Sequence, residues 1–199
     1  MSWTFADDSP LRILSPHTAP KIVFHAVCDE LARYFAPEGI RYLRSRPRME
    51  QRRGDLTLEM AMWSSRSNVA GQQVGLEVVS HISSQALAKW IKATGIGRNN
   101  ALFTVDTRKA SSGVHQKYFD IAAVNPESFV GIAETIRRVC WEPMTCVTAE
   151  GTLPAELHPR LKPIADNFAC WLWMHGRRAE ALATAGLPDD LRARLLAQV

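Results

Sequence analysis

The stretch LTLEMAMW, Leu56 to Trp63, constrains this chain more than any other. Leu56, Leu58, Met60 and Met62 fall on one side of an extended strand, and Thr57, Glu59, Ala61 and Trp63 on the other. Such a strand buries one face and leaves the other polar, which suits an antiparallel sheet with one covered side. VGLEVVSHI repeats the pattern through Val74, Leu76, Val78 and Ile82. Between these two runs, SSRSNVAGQQ supplies a polar loop.

Upstream the period differs. In PKIVFHAVCDELARYF, Ile22, Val23, Ala26, Val27, Leu31 and Phe35 recur at helical spacing, with Pro20 suited to a first turn and Pro37 and Gly39 to a stop. From Ile40 the pattern becomes strand-like, and RRGD around Gly54 reads as a hairpin turn into LTLEMAMW. Ser83 or Ser84 suits the cap of a helix through QALAKWIKAT that Gly95 ends. Further strands are expected at 101–105 and 117–124, joined by the polar link DTRKASSGVHQ. From Pro126 the pattern is helical almost to the end, through SFVGIAETIRRVCW, AELHPRLKPIADNFACWLWMHG and two short segments, the last opened by Pro188 and two aspartates. The expected class is α+β: an N-terminal helix, an antiparallel meander sheet of about five strands and a helical C-terminal tail. One domain over 1–199 is expected, comprising an extended leader at 1–19, helix plus sheet at 20–125, and a helical extension at 126–199 packed on the same domain.

Composition excludes several classes. With 46% hydrophobic and 22% charged residues the chain is an ordinary globular one. It has no apolar run of signal-peptide or membrane-spanning length, so a soluble cytoplasmic protein is expected, with no membrane partner. Cys28, Cys140, Cys146 and Cys170 show no CxxC spacing and read as small core residues. The six histidines are dispersed; His25 and Cys28 share a helix face that otherwise reads as core, so no metal and no cofactor are expected. The GxSxG elbow is absent, and GIGRNN lies after a helix and before a strand, the reverse of a phosphate cradle. Trp90, Trp171 and Trp173 sit at helix-packing spacings.

One segment stands apart. RYLRSRPRMEQRRGD holds Arg41, Arg44, Arg46, Arg48, Arg52 and Arg53 with Glu50 as the single acid before Asp55. The net charge of +4 arises wholly in residues 1–100, which carry 13 Lys/Arg against 9 Asp/Glu. Read as an extended strand over Leu43–Met49, it puts Arg44, Arg46 and Arg48 on one side, and Pro47, which cannot donate to a ladder, marks an edge or a bulge. The bland reading is a solvated edge strand. The functional reading is a contact surface of Arg44, Arg46, Arg48, Arg52, Arg53 and, from the following loop, Arg66, since arginine forks onto carboxylates and phosphates. Tyr42 is the only ring among these arginines, which disfavours single-stranded nucleic acid.

The helix with Leu31 and Phe35, then Gly39 and Arg41, the strand LTLEMAMW, the loop SSRSN, GLEVV, and Ile82, Ser84, Leu87 and Trp90 together resemble a family of bacterial domains of unknown function often found near polymorphic toxin genes. The likeness covers about residues 22–90 and consists of packing and turn positions, with no catalytic residue to carry over. It implies an immunity protein that binds and neutralises a cognate toxin. Because this chain is basic, such a toxin is expected to present an acidic or neutral face. Two alternatives stand beside it: nucleic-acid binding through the Arg41–Arg53 hairpin, and an enzyme with a dispersed site using His81, His115 or Glu59.

Overall fold

Pro20, whose ring lacks the N–H that a first helical turn leaves unused, opens α1 (Pro20–Phe35), and Gly39 at φ 71° turns the chain out of the short 3-10 segment that follows. The structure is a computed structural model describing residues 3–106 and 118–198. Seven strands follow the order β1 (Arg41–Leu43), β2 (Arg48–Arg53), β3 (Leu56–Ser64), β4 (Gly75–Ser84), β5 (Ala101–Val105), β7 (Leu161–Pro163), and β6 (Phe119–Asp120) pairs with β4. The helices are α1, α2 (Gln85–Thr94), α3 (Pro126–Ile136), α4 (Ala165–Met174), α5 (Arg178–Leu182) and α6 (Asp189–Leu196). This is an α+β protein with an N-terminal helix, an antiparallel sheet and C-terminal helices. Among the described residues no helix is long and apolar enough to cross a membrane.

The chain divides into two compact units. The first comprises 1–51, 59–80 and 107–143; the second comprises 52–58, 81–106 and 144–199. In the first, β3 and β4 bury Met60, Met62, Leu76 and Val78, and β2 buries Met49. Val23, Val27, Leu31 and Phe35 of α1 are buried, as are Phe129, Ala133 and Ile136 of α3. Trp3 stacks on Phe129 at 5.4 Å, and the Tyr34 hydroxyl donates to Glu134. Leu11, within a 3-10 turn at Pro10–Ile13, is also buried.

The second unit is organised by the tip of the β2–β3 hairpin. Gly54 (φ 56°) occupies a backbone conformation that other residues rarely adopt, and a Cβ there would overlap the Glu150 carbonyl. Asp55 then accepts the Ser84 hydroxyl on one oxygen and the Ala86 N–H at 2.7 Å on the other. Ser84 itself accepts the Leu87 N–H at 3.0 Å, so two residues satisfy orphan donors of the first turn of α2. Gly95 at φ 69° closes that helix. Phe103 of β5 meets Phe168 of α4 at 5.0 Å, and the buried Asn167 amide donates to Asn99 and to the Ala101 carbonyl.

Three sequence expectations are corrected. Leu43–Met49 is not one extended strand: residues 44–47 form the turn between β1 and β2, so Pro47 ends a turn, and β1, not the arginine-rich β2, is the terminal strand of the order. The expected strand at 117–124 shrinks to Phe119–Asp120, since the Asp120 carboxylate accepts the Val74 and Ala122 N–H groups and bends the chain, and Asn125 then caps α3. Residue 117 lies outside the described residues. The run AELHPRLKP is not helical. Pro159 and Pro163 forbid a continuous helix there, and Leu161–Pro163 instead pairs antiparallel with Phe103–Val105, burying Leu161. That strand and the division of the arginine segment raise the count from about five to seven among the described residues.

Two glycines test this account. Gly54→Ala is expected to destabilise the protein by about 2–4 kcal/mol, from strain and overlap together. Gly131→Ala, in the open interior of α3 with nothing near its missing Cβ, is expected to stabilise by about 0.5–1 kcal/mol. Urea midpoints moving in opposite directions at constant slope would confirm both.

Candidate functional site

The turn at residues 44–47 breaks the alternation expected of Arg44, Arg46 and Arg48, and the arginines of the segment find different partners. Arg44 Nη2 donates to Asp29 of α1 at 2.9 Å. Arg48, at the start of β2, lies between two carboxylates: Nε is 3.4 Å from Glu50, and Nη1 is 3.2 Å from Glu59 on β3. Arg41 is 3.9 Å from the other oxygen of Glu50. Arg52 donates to the Gln85 side chain at 2.8 Å, and Arg53 donates to the Thr145 and Val147 carbonyls. The carboxylates that the arginines were expected to find on a partner are thus largely the chain's own. Arg46 and Arg66 are different: neither makes an ion pair or hydrogen bond with any described residue.

Arg46 opens onto a cleft of about 340 Å³ in the first unit, lined also by Pro47, Arg48, Glu59, Ala61 and Trp63. The Met62 N–H donates to the Pro47 carbonyl at 2.8 Å, which fixes the turn against the end of β3. Because Met60 and Met62 point into the core, Glu59, Ala61 and Trp63 must take the opposite face. Trp63 is 60% exposed, and on β4 Val79 is 40% exposed. The cleft therefore offers an indole face, an unpaired guanidinium and a clamped Arg48–Glu59 pair. Sequence reasoning singled out Arg46 and Arg48 but passed over Trp63. The signal lay in the alternation of LTLEMAMW, which assigns a tryptophan to the polar face, an unusual place for so much apolar surface.

The residues of the enzyme reading are placed otherwise. Glu59 is held by Arg48, His81 lies on β4 opposite Thr104 of β5, and His115 lies outside the described residues. Among the described residues no group of three or more His, Cys, Asp or Glu side chains could hold a metal ion. Cys28, Cys140 and Cys170 are buried, and Cys146 is half-buried. Burial, reinforced by Asp29, raises the Cys28 thiol far above its usual range, and burial followed by the Asp166 charge pushes Cys170 from 9.0 up to about 11. Neither supplies a thiolate near neutral pH. Burial also raises the Tyr42 phenol, with Cys28 and Asp29 adding to the shift.

Compared with known protein families, with curated proteins and with solved structures, the chain matches none.

Removing Arg48 should cost more than removing Arg46. Arg48→Ala removes the ion pairs with Glu50 and the half-buried Glu59 and is expected to lose about 1 kcal/mol, while Arg46→Ala stays within about 0.5 kcal/mol of wild type. A double-mutant cycle of Arg48→Ala and Glu59→Ala should return a coupling of about 0.5–1 kcal/mol; no coupling would show that the pair is incidental. A second test uses pH. Between 9.0 and about 11 the unfolded chain gives up the Cys170 proton that the folded chain keeps, so this contribution to stability is complete below 9.0 and lost as pH rises. Cys170→Ala should flatten the fall in unfolding free energy over that window by at most about 1.4 kcal/mol per pH unit.

Proposed function

We propose that this chain is a non-catalytic protein-binding module whose contact surface is the Trp63–Arg46 cleft. We further propose, from the resemblance of residues 22–90, that it serves in the bacterial cytoplasm as an immunity protein against a cognate toxin. The observation that carries the binding reading is Trp63, 60% exposed on a strand face and lining one cleft with an arginine that has no partner among the described residues. Tryptophan and arginine are the residues most enriched where truncation costs a complex most. An exposed indole carries a standing hydration cost that a partner's apolar side chain would relieve, and Arg46 would take a carboxylate beside it. This suits a partner with an acidic or neutral face.

The nucleic-acid reading draws less support. Of six arginines proposed for contact, Arg44, Arg48, Arg52 and Arg53 are engaged within the chain. A phosphate track needs several free cations in a row.

The test is co-expression with the product of the adjacent gene, followed by co-purification and a growth-protection assay. The wild-type chain is expected to bind and protect. Trp63→Ala and Arg46→Glu are each expected to weaken binding by about 2 kcal/mol, roughly 30-fold, without moving the thermal midpoint. A chain that neither binds nor protects against its neighbour ends the immunity reading. Retention of full affinity by both variants would move the contact surface elsewhere.

A further inference from the structure

A second cleft of about 390 Å³ lies in the first unit, along the first turns of α1, and none of its polar residues belongs to the Trp63 surface. Lys21, His25 and Asp29 recur every four residues and so form one stripe on α1. Arg44 leans over this stripe from the β1–β2 turn, held by Asp29 at 2.9 Å through Nη2. A guanidinium carries five N–H donors, and the bond to Asp29 occupies one of them. Lys21 and His25 have no ion pair or hydrogen bond with any described residue. Ile22 and Ala26 supply an apolar wall, and Ile22 is 49% exposed despite belonging to the helix's apolar repeat.

The charge arrangement is unfavourable as it stands. The first turn of α1 has no acidic residue and no side-chain cap, yet it carries Lys21, a cation placed at the positive end of the helix dipole. An anion in the cleft would reverse that penalty and give Lys21, His25 and Arg44 a common acceptor. Asp29 balances one of the two cations, Lys21 and Arg44, so the cleft stays positive and suits an anionic group that can accept several donors. We infer that this cleft binds a small phosphomonoester, its phosphate between Lys21, His25 and Arg44 and a short apolar substituent against Ile22 and Ala26. The volume falls within the range of small-molecule sites.

Titration of the full chain with butyl phosphate, inorganic phosphate and butyrate, followed by the His25 imidazole and Ile22 methyl NMR signals, tests the assignment. Butyl phosphate is expected to shift both signals saturably with a Kd on the order of 1 mM. Inorganic phosphate, lacking the apolar contact, should bind about threefold more weakly, and butyrate about tenfold more weakly. The Lys21→Gln/His25→Gln double variant should lose about tenfold in butyl phosphate affinity, and Arg44→Gln should do likewise by an independent route. Trp63→Ala should leave the titration unchanged, so failure here is separable from failure of the protein-binding reading. The proposal is overturned by absence of saturation at roughly ten times the expected Kd, by butyrate matching butyl phosphate, or by unchanged affinity in the variants.

Discussion

The pleat of β3 is the constraint on which the candidate surface depends. A strand that buries Leu56, Leu58, Met60 and Met62 has spent its inward positions, so Glu59, Ala61 and Trp63 must face the other way. Shifting the register by one residue would place Glu59 in the core and expose four apolar side chains, which burial energies of about 1.5–3 kcal/mol per side chain forbid. Trp63 is thus held outward by its neighbours' hydrophobicity. That is the physical situation of a residue whose exposure persists unless another molecule covers it.

The arginines show how a charge-rich segment is made compatible with a fold. Six guanidiniums within thirteen residues would repel if presented together, and the turn at 44–47 prevents this by sending Arg44 towards α1 and Arg48 between Glu50 and Glu59. Arg53 satisfies carbonyls of the 145–147 segment, in keeping with its place beside Gly54, where the hairpin tip and the Glu150 backbone approach closely. Most of the segment's charge is consumed in building the protein. Arg46 is left over because it stands at the apex of the turn, where no described acidic side chain is in reach.

The parts of the fold legible from sequence were those with a strong local period or a residue that permits one conformation. The sixteen residues of α1, the β3 alternation, the Ser84 cap and the Gly95 stop all rest on such signals. What escaped was set by long-range pairing. Leu161–Pro163 has no strand period of its own and is a strand because Phe103–Val105 offers it an edge. The helical reading of its flanks failed for the same reason, since Pro159 and Pro163 weighed less than the apolar residues around them. For the site, the sequence identified the arginines by composition but could not show which acids they meet, because Arg48 finds Glu59 eleven residues away and Arg44 finds Asp29 across a turn.

This difference between composition and pairing also separates the two clefts. In the Trp63 cleft the arginine nearest the strand is neutralised by Glu59, so the surface combines a cation unpaired among the described residues with a large apolar ring, and shape and hydrophobic contact would dominate recognition. Along α1 the balance is reversed. Lys21 and His25 are unpaired among the described residues, Asp29 steadies Arg44 without exhausting its donors, and the apolar wall is small. A surface of the first kind selects by complementarity with another folded chain, while one of the second kind selects by charge and can be filled by a molecule of a few atoms. The two can coexist on a chain of net charge +4 because the acids near the first strands are already committed, Asp29 to Arg44 and Glu50 and Glu59 to Arg48. The cations that remain, Arg46 on one side and Lys21 on the other, therefore set the chemistry of each opening.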